Sequence, residues 1–434
     1  MKKLLSLLVT IAMLASITTV SLAEDLPELT YLRWDSDPYT EEEWAVIEEE
    51  IGAKVNVMVV PFDDYYSKLN TLIAAGETPD VFEISEYLAV EWGKKGVSME
   101  LSQPYEDRGV NLEDTYIAAC LYGDEGNVYG ITAGVTAILL FYNKDLFDAY
   151  DVPYPSSDPE NPITWEEYVQ TAQKLTRDSN GLCPLDEGFD TWDVTSYGTL
   201  TTTWTFSLTA FLYSANSGFF TSDGMGLDLG SDGAQKVLTE MSKLSTEYLC
   251  APDSIISSSL PGNVQMFKDG MLAMAVEGSF MIGSYVTEGA NFGIAPLPVF
   301  DTPATATWSA AYAISADTEL ADASLSLLEI IVGDTGSQYP SKIEDYEGEN
   351  YDAWASALGL SESDQEWMKG YLNSSAAKVH EAVYVKNYSK ILDEVISPEM
   401  SNLWAGDATP EQVASVTNEK SIGMFEGAYE LLAN

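Results

Sequence analysis

Carboxylates and aromatic rings are the side chains with which this sequence is best equipped to do chemistry. It carries 69 Asp and Glu against 20 Lys and Arg, together with 10 Trp and 25 Tyr. Carboxylates accept hydrogen bonds from hydroxyl groups or work in acid–base pairs, while flat aromatic rings cover apolar ring faces. These residue types therefore suit either the binding of a polyhydroxylated ligand or its hydrolysis by a paired Asp or Glu.

Motifs of other common enzyme classes are absent from the sequence. There is no Gly-x-Ser-x-Gly elbow, no His-Glu-x-x-His helix and no P-loop. The single histidine, His380, is interpreted as a surface or packing residue. Cys120, Cys183 and Cys250 form no Cys-x-x-Cys pair, so neither a zinc site nor a disulfide scaffold is indicated, and one bridge with one free thiol stays open. We expect no metal and no cofactor.

Polar residues at the ends of two predicted strands are the first candidates for a site. The N-terminal part predicts an α/β unit with a parallel sheet. Its strands and helices alternate at 29–34, 41–51, 54–60, 65–75 and 81–84. Ligands of such sheets bind outside the carboxyl ends of strands, where Asp35, Ser36, Ser85 and Glu86 stand. Turn formation and helix capping explain the same four residues equally well.

The stretch 126–150 is the centre of the predicted organisation. Its apolar run, 138–142, is typical of a strand buried on both faces of a mainly parallel sheet. Asn143 is suited to cap the following helix. The small residues at 132–137 leave room for the backbone to change direction or to approach a ligand.

Further along the chain the pattern predicts a second α/β region. Thr164, with Glu167 as its capping-box partner, begins a helix at Trp165 that extends to about residue 177. The segment 191–214 fits helix or strand equally. The Asp- and Gly-rich segment 223–232 lacks the spacing of a calcium loop and is interpreted as a turn. Later segments predict strands at 271–276 and 292–297, a helix opened by Gly278 and a helix at 321–332.

The N-terminus has the pattern of a secretory signal peptide. Two lysines precede the apolar run 4–14, and Ser21-Leu22-Ala23 places small residues before a cut that would leave Glu24 first. No cysteine stands near that cut, so we expect a mature chain without a lipid anchor that is secreted, held at the extracellular face of the cell membrane or located in a periplasm. A net charge of −49 disfavours binding to nucleic acid or anionic membranes.

Four stretches in order carry a resemblance to a known family. They are AAGETPDVF at 74–82, YGI at 129–131 with YNKDL at 142–146, MFKDGMLAM at 266–274 with APLP at 295–298, and SAAYAISA at 309–316. The chain resembles the extracellular solute-binding proteins of bacterial ABC importers, in the sugar-binding group that includes maltodextrin-binding protein. Together with their spacing, the stretches cover most of the mature chain.

The resemblance implies an α/β, two-lobed periplasmic-binding-protein-like fold of type II, in which each lobe is a mixed, mainly parallel sheet flanked by helices. Residues 1–23 would be the signal peptide. Lobe 1 would take 24–134 with 308–345, and lobe 2 would take 135–307 with 346–434. Two of the segments crossing between lobes would lie near 133–135 and 304–307, beside the ligand cleft.

The resemblance also implies the function and the site. A carbohydrate, expected to be an oligosaccharide, would be clamped between the lobes of a monomer and delivered to the permease subunits of an ABC transporter. The implied ligand-binding residues are Trp34, Asp35, Ser36, Ser85, Glu86, Thr136, Trp204, Glu277, Phe280, Trp308 and Tyr312. Phe280 stands where many relatives have Trp. The main alternative is a secreted glycosidase, and a structural surface protein is disfavoured because the sequence has no repeats.

Overall fold

The computed structural model describes residues 26–429 with gaps at 35, 38, 118–119, 307–309, 334–338, 341, 343–355, 357–359, 361, 374–377 and 381–384. The described chain forms two compact units. The first comprises the described residues up to Phe82 together with Asp317–Glu329, and the second comprises Glu83–Ala316 and the described residues from Ile330 onward. The predicted lobe boundaries, at 134 and 307 among others, stay a prediction.

Strands and helices alternate through much of the described chain. The strands are β1 (Glu28–Trp34), β2 (Lys54–Val60), β3 (Val81–Ser85), β4 (Leu121–Asp124), β5 (Asn127–Ile131), β6 (Gly134–Val135), β7 (Ile138–Asn143), β8 (Arg177–Asp178), β9 (Val194–Ser196), β10 (Met274–Gly278), β11 (Phe292–Ala295), β12 (Ala304–Ala306), β13 (Ala310–Ile314), β14 (Tyr339–Pro340) and β15 (Lys378–His380). The α-helices are α1 (Glu41–Ile51), α2 (Phe62–Ala75), α3 (Glu86–Lys94), α4 (Ser102–Asp107), α5 (Leu112–Thr115), α6 (Lys144–Ala149), α7 (Trp165–Leu175), α8 (Thr205–Ser214), α9 (Asp232–Thr246), α10 (Ser254–Ser257), α11 (Asn263–Lys268), α12 (Ile282–Thr287), α13 (Ala321–Gly333), α14 (Glu362–Asn373), α15 (Tyr388–Ile391), α16 (Ser397–Trp404) and α17 (Pro410–Lys420).

The first unit contains the parallel sheet that the sequence predicts. Its strand order is β2-β1-β3, and β1 pairs in parallel with both neighbours. Gly52 and Gly76 end α1 and α2 in the left-handed conformation, with φ of 69° and 73°. A side chain at either position would be strained, which is why the helices stop where the glycines stand.

In the second unit, β7 is the strand on which two hydrophobic clusters meet. All six of its residues are buried. Ile138 and Leu140 pack into one cluster, while Leu139 and Phe141 pack into the other. The prediction of a strand buried on both faces is confirmed, because alternate residues of a strand point to opposite sides of the sheet.

The strand partners of β7 differ from the expectation of parallel pairing. It lies in the middle of the order β10-β7-β11, and it is antiparallel to both neighbours. Both neighbours follow short helices, α11 and α12, which return the chain to the opposite end of the strand. Burial on both faces therefore indicated covering layers on each side of β7, and it carried no information about strand direction.

The start of β7 lies beside β12, which is in the second of the two segments predicted to cross between lobes. Ile138 donates its backbone N–H to Thr305 Oγ1 over 3.1 Å, and the Thr305 hydroxyl donates to the Ile138 carbonyl over 2.7 Å. Thr305 is fully buried at the centre of β12. These two bonds join the start of β7 to β12 through one side chain.

Local capping signals agree with the structure. Thr164 and Glu167 form the predicted capping box at the start of α7, and the Asn143 side chain accepts from the backbone N–H groups of Asp145 and Leu146. The ambiguous segment 191–214 divides into β9, an extended stretch and α8. The three cysteines are free and buried, so no disulfide links them.

A π-helical segment, Leu392–Ile396, separates α15 from α16. Pro398 stands in the first turn of α16 and has no backbone N–H to donate to the carbonyl four residues earlier. In a regular α-helix the proline ring would also clash with that carbonyl, and the wider π-helical turn avoids this clash. Proline therefore explains why this helical run is not a continuous α-helix.

Candidate ligand-binding site

Two of the predicted aromatic residues contact each other in the second unit. Trp204 lies immediately before α8, and Phe280 lies in the 3₁₀ turn Ser279–Met281 that follows β10. Their ring centroids are 6.0 Å apart with the planes at 88°. Both side chains are half-buried. This edge-to-face geometry is favourable for two aromatic rings, and it fixes one ring face relative to the other.

Phe280 is held in place by the backbone of Gly278 and by the aromatic residues around Trp204. A Cβ atom on Gly278 would stand only 2.0 Å from the Phe280 ring, so the ring packs directly on a backbone without a side chain. Trp204 in turn makes an edge contact with Phe206, with centroids 5.3 Å apart. Gly278 and the Trp204–Phe206 pair thus orient an aromatic surface that remains partly accessible.

Backbone hydrogen bonds bring Thr136 to the same place. Ser279 donates its N–H to the Ala137 carbonyl over 2.8 Å, and Ala137 donates its N–H to Ser279 Oγ over 3.2 Å. Thr136 and Phe280 are the immediate neighbours of these two bonded residues. Thr136 is 1% exposed, and its hydroxyl has no hydrogen-bond partner within the described part of the chain. An unpaired buried hydroxyl is costly, so a ligand group that bonds to it would regain that free energy.

Glu277 is committed to bonds inside the protein. Its Oε1 accepts from Asn263 Nδ2 over 2.5 Å and from the Tyr285 hydroxyl over 3.2 Å. Burial raises the pKa of this carboxyl above its ordinary value, and the two hydrogen bonds oppose the rise without cancelling it. Glu277 immediately precedes the Gly278–Phe280 turn and is a hydrogen-bond partner of Asn263 and Tyr285, and the ligand contact predicted for it stays a prediction.

Replacing Glu277 by Gln is expected to remove one source of pH-dependent instability. Above a pH of about 4.5 the unfolded chain ionises this carboxyl freely, while the raised native pKa resists ionisation, so unfolding becomes easier as the pH rises. Gln keeps an acceptor for Asn263 and Tyr285 and stays neutral. The stability of Glu277→Gln relative to the native protein should therefore increase from acid to neutral pH, measured as melting midpoints across that range. A constant difference between the two proteins would contradict this.

Two predicted site residues that the structure describes lie at the end of β1 in the first unit. Trp34 is 9% exposed and packs edge-on against Tyr65 and Phe62, with centroids 4.9 and 5.5 Å away. Ser36 is exposed and donates its N–H to the Trp34 carbonyl over 3.0 Å. Asp35 lies outside the described residues. Trp34 thus belongs to an aromatic cluster whose outer member, Phe62, is 44% exposed, and the ligand contacts predicted for all three residues stay predictions.

The remaining predicted residues lie apart from the Trp204–Phe280 pair in the chain. Ser85 is buried at the N-terminus of α3, and Glu86 is the first residue of that helix, although its side chain is not described. Tyr312 is buried on β13 opposite Ile131 of β5. Trp308 lies outside the described residues. The roles predicted for these four residues stay predictions.

Three positions of the site were missed in the sequence. Ser279 and Thr305 join the segments around Phe280 and Thr136, and Gly278 provides the surface on which Phe280 lies. The Gly-Ser pair that stands before Phe280 in the sequence was a visible signal for Gly278 and Ser279. No signal in the sequence pointed to Thr305, because both of its bonds are to the backbone of Ile138, which is far away in the sequence.

The described residues contain neither a candidate membrane-spanning helix nor a candidate metal-binding cluster. None of their helices is long and apolar enough to cross a membrane. None of their His, Cys, Asp and Glu side chains gather in groups of three or more around a point where a metal ion would bind.

Comparison with known families decides what kind of protein carries this site. The family model described as bacterial extracellular solute-binding protein matches residues 45–346. The chain belongs to this family. The suspected relationship to solute-binding proteins is therefore confirmed, and the match includes Trp204, Phe280 and both segments joined by Thr305.

Curated relatives are binding proteins of distant sequence. A binding protein of Brucella abortus is 25% identical over 280 residues, which cover 62% of this chain and 62% of the relative. A maltooligosaccharide ABC transporter solute-binding lipoprotein of Streptococcus pneumoniae is 24% identical over 284 residues, which cover 64% and 60%. The chain thus spans somewhat under two thirds of the length of these relatives.

Solved structures confirm the predicted α/β solute-binding-protein fold. An ABC substrate-binding protein of Listeria monocytogenes in complex with cycloalternan matches with a TM-score of 0.76 at 22% identity, over 92% of this chain and 99% of that one. The maltose/maltodextrin-binding domain of Bdellovibrio bacteriovorus bound to maltotriose matches with a TM-score of 0.68 at 16% identity, over 91% and 99%.

Proposed function

We propose that this protein captures a carbohydrate outside the cell and delivers it to the permease subunits of an ABC transporter. The observation that carries the proposal is the half-buried Trp204–Phe280 pair, whose turn is hydrogen-bonded to the segment of Thr136, a residue whose hydroxyl has no partner among the described residues. Sugars combine apolar ring faces with hydroxyl groups, so a flat aromatic surface next to a free hydroxyl matches both parts of such a ligand.

The names of related proteins support the same ligand class. The Streptococcus pneumoniae relative is named for maltooligosaccharides, and a relative from Bacillus subtilis is named an arabinooligosaccharide-binding protein. We infer an oligosaccharide as the ligand. Maltooligosaccharides and arabinooligosaccharides are the first two classes to test, because they differ in ring size and linkage.

We further propose that the sugar is bound without being altered, in contrast to the glycosidase alternative. Glycosidases need a second carboxyl group about 5–10 Å from the first. Glu277 already accepts two hydrogen bonds from Asn263 and Tyr285, which ties its carboxyl to the fold. The proposal also keeps the predicted monomer, the secreted or surface location and the platform role of Trp308.

A thermal-shift screen tests the proposed function. The protein should melt at a higher temperature with either maltotriose or arabinotriose, because a ligand bound only by the folded state stabilises it by about 2.7 kcal/mol at a hundred times its dissociation constant. The stabilising sugar should remain intact by chromatography after long incubation. Hydrolysis that one Asp or Glu substitution abolishes would instead establish a glycosidase, and an unshifted midpoint with both sugar series would contradict carbohydrate capture.

A further inference from the structure

A second concave surface lies in the second unit and includes part of the segment that leads to Trp204. A cavity of about 400 Å³ is bounded by Thr201 and Thr203, the end of α9, α10, and residues 403–406 and 408–410. A smaller cavity of about 180 Å³ shares Ser245, Pro252 and Asp253 with it. We call the two together the α9–α10 groove. The larger cavity alone is within the size range of ligand pockets, about 300–1,000 Å³.

The polar groups of the α9–α10 groove are free to bind a ligand. Five hydroxyl side chains of the larger cavity form no hydrogen bond to any described residue: Thr201, Thr203, Ser245, Ser254 and Ser257. Asp253 accepts from the Ile256 N–H through Oδ1 over 2.8 Å, and its Oδ2 has no partner within the described chain. Most of these groups are exposed and bond to water in the free protein, so the hydroxyl groups of a ligand can take the place of that water.

The charge of the lining selects a neutral partner. Asp253 is the one side chain charged at neutral pH among the described residues that line the two cavities. No cation is available there to attract phosphate, sulfate or carboxylate groups. Hydroxyls and one carboxylate instead match the hydrogen-bonding groups of an uncharged polyol or sugar.

An indole ring stands in each part of the α9–α10 groove. Trp404 lines the larger cavity, and its Nε1 is buried without a hydrogen-bond partner among the described residues. Trp192 lines the smaller cavity and is 91% exposed. A Trp that is almost fully exposed gains little from packing in its own fold, whereas a flat indole face is well suited to cover a sugar ring.

The α9–α10 groove and the Trp204–Phe280 pair are formed by different residues. Thr201 and Thr203 line the groove, whereas Trp204 contacts Phe280. Trp204, Phe280 and Thr136 are not among the residues that line the two cavities. The groove is therefore a separate surface.

From these observations we propose that the α9–α10 groove is a second carbohydrate-binding site, which holds a run of neutral sugar units with Trp192 as its outer platform. The proposal does not depend on the Trp204–Phe280 pair. Because the groove is open at the Trp192 end, it accommodates a segment of a longer chain, and soluble polysaccharides are the appropriate probes.

Affinity electrophoresis in gels that contain soluble starch, arabinan or xylan measures polysaccharide binding at the α9–α10 groove as retardation of the protein. The Phe280→Ala variant, impaired at the first site, should still be retarded by at least one of these polysaccharides. Adding Trp192→Ala should weaken that retention about tenfold, the effect of losing one aromatic contact of ordinary strength. Ile422→Ala is the matched control, because Ile422 is 80% exposed and lies outside the groove lining. Ser245 lines both cavities, so the bulky side chain of Ser245→Phe should fill the groove and weaken retention as much as Trp192→Ala does.

Either of two results would overturn the second site. One is that Phe280→Ala alone abolishes retention by every polysaccharide that retards the native protein, or that no polysaccharide retards it. The other is that Trp192→Ala and Ser245→Phe, in the Phe280→Ala background, migrate like that background. Failure of the first site would be seen separately, as unchanged binding of short oligosaccharides by Phe280→Ala.

Discussion

Replacing Phe280 by alanine is expected to weaken binding of the transported carbohydrate by about 2 kcal/mol, roughly thirtyfold in Kd. The ring is half-buried, lies on the bare backbone of Gly278 and is oriented by the edge of Trp204. Alanine removes the flat face but leaves the turn that carries it. Phe280 is not among the residues of either buried cluster, so the unliganded midpoint should change little. Calorimetric titration with the stabilising oligosaccharide measures the loss.

Phe280→Leu is the informative control for this prediction. Leucine keeps most of the apolar volume against Gly278 and Trp204 but has no flat face. Affinity should therefore fall in Phe280→Leu nearly as far as in Phe280→Ala. Full affinity in the leucine variant would show that Phe280 only supports Trp204, and full affinity in both variants would remove Phe280 from the site.

Local chemistry was predictable from the sequence because its causes are local. Gly52 and Gly76 end helices through their own backbone freedom, and Asn143 and Thr164 cap helices within three residues of themselves. The burial of β7 followed from five consecutive apolar residues. Such features depend on the identity of a few neighbours, and the sequence displays those neighbours directly.

Long-range geometry was not predictable in the same way. The antiparallel partners of β7 come from residues more than a hundred positions later in the chain, and apolar composition does not encode their direction. The same holds for the site. Trp204 and Phe280 were each predicted separately, but their contact and the two bonds from Thr305 to Ile138 arise only in the folded chain. Glu277 was visible as a carboxylate near Phe280, while its commitment to Asn263 and Tyr285 was not.

Replacing Gly198 by alanine is expected to destabilise the protein by at least about 3 kcal/mol, since overpacking against an immovable neighbour reaches the upper end of such effects. A Cβ atom there would lie 1.9 Å from the carbonyl oxygen of Ala172 and 2.4 Å from its carbonyl carbon. Both neighbours are backbone atoms of α7, so no side chain can rotate away.

The surroundings of Gly198 prevent the backbone from shifting to relieve that clash. The Ala172 carbonyl accepts from the Thr176 N–H over 3.0 Å and from the Thr176 hydroxyl over 2.8 Å. Thr176 Oγ1 in turn accepts the N–H of Gly198 over 2.9 Å. Moving Gly198 away from Ala172 would break this chain of bonds, in which the Thr176 hydroxyl is fully buried. Both the clash at Gly198 and the backbone shift that would relieve it therefore cost free energy of folding.

Gly262→Ala is the matched control for Gly198→Ala, because a Cβ at Gly262 would meet no atom within 4 Å. Its backbone φ of −63° suits any residue, so this change should cost less than about 1 kcal/mol. Chemical denaturation of the two variants compares them. The segment after Gly198 leads to Trp204, so any folded fraction of Gly198→Ala should also bind the stabilising oligosaccharide less tightly. Equal denaturation midpoints for the two variants would show that Gly198 is not tightly packed against α7.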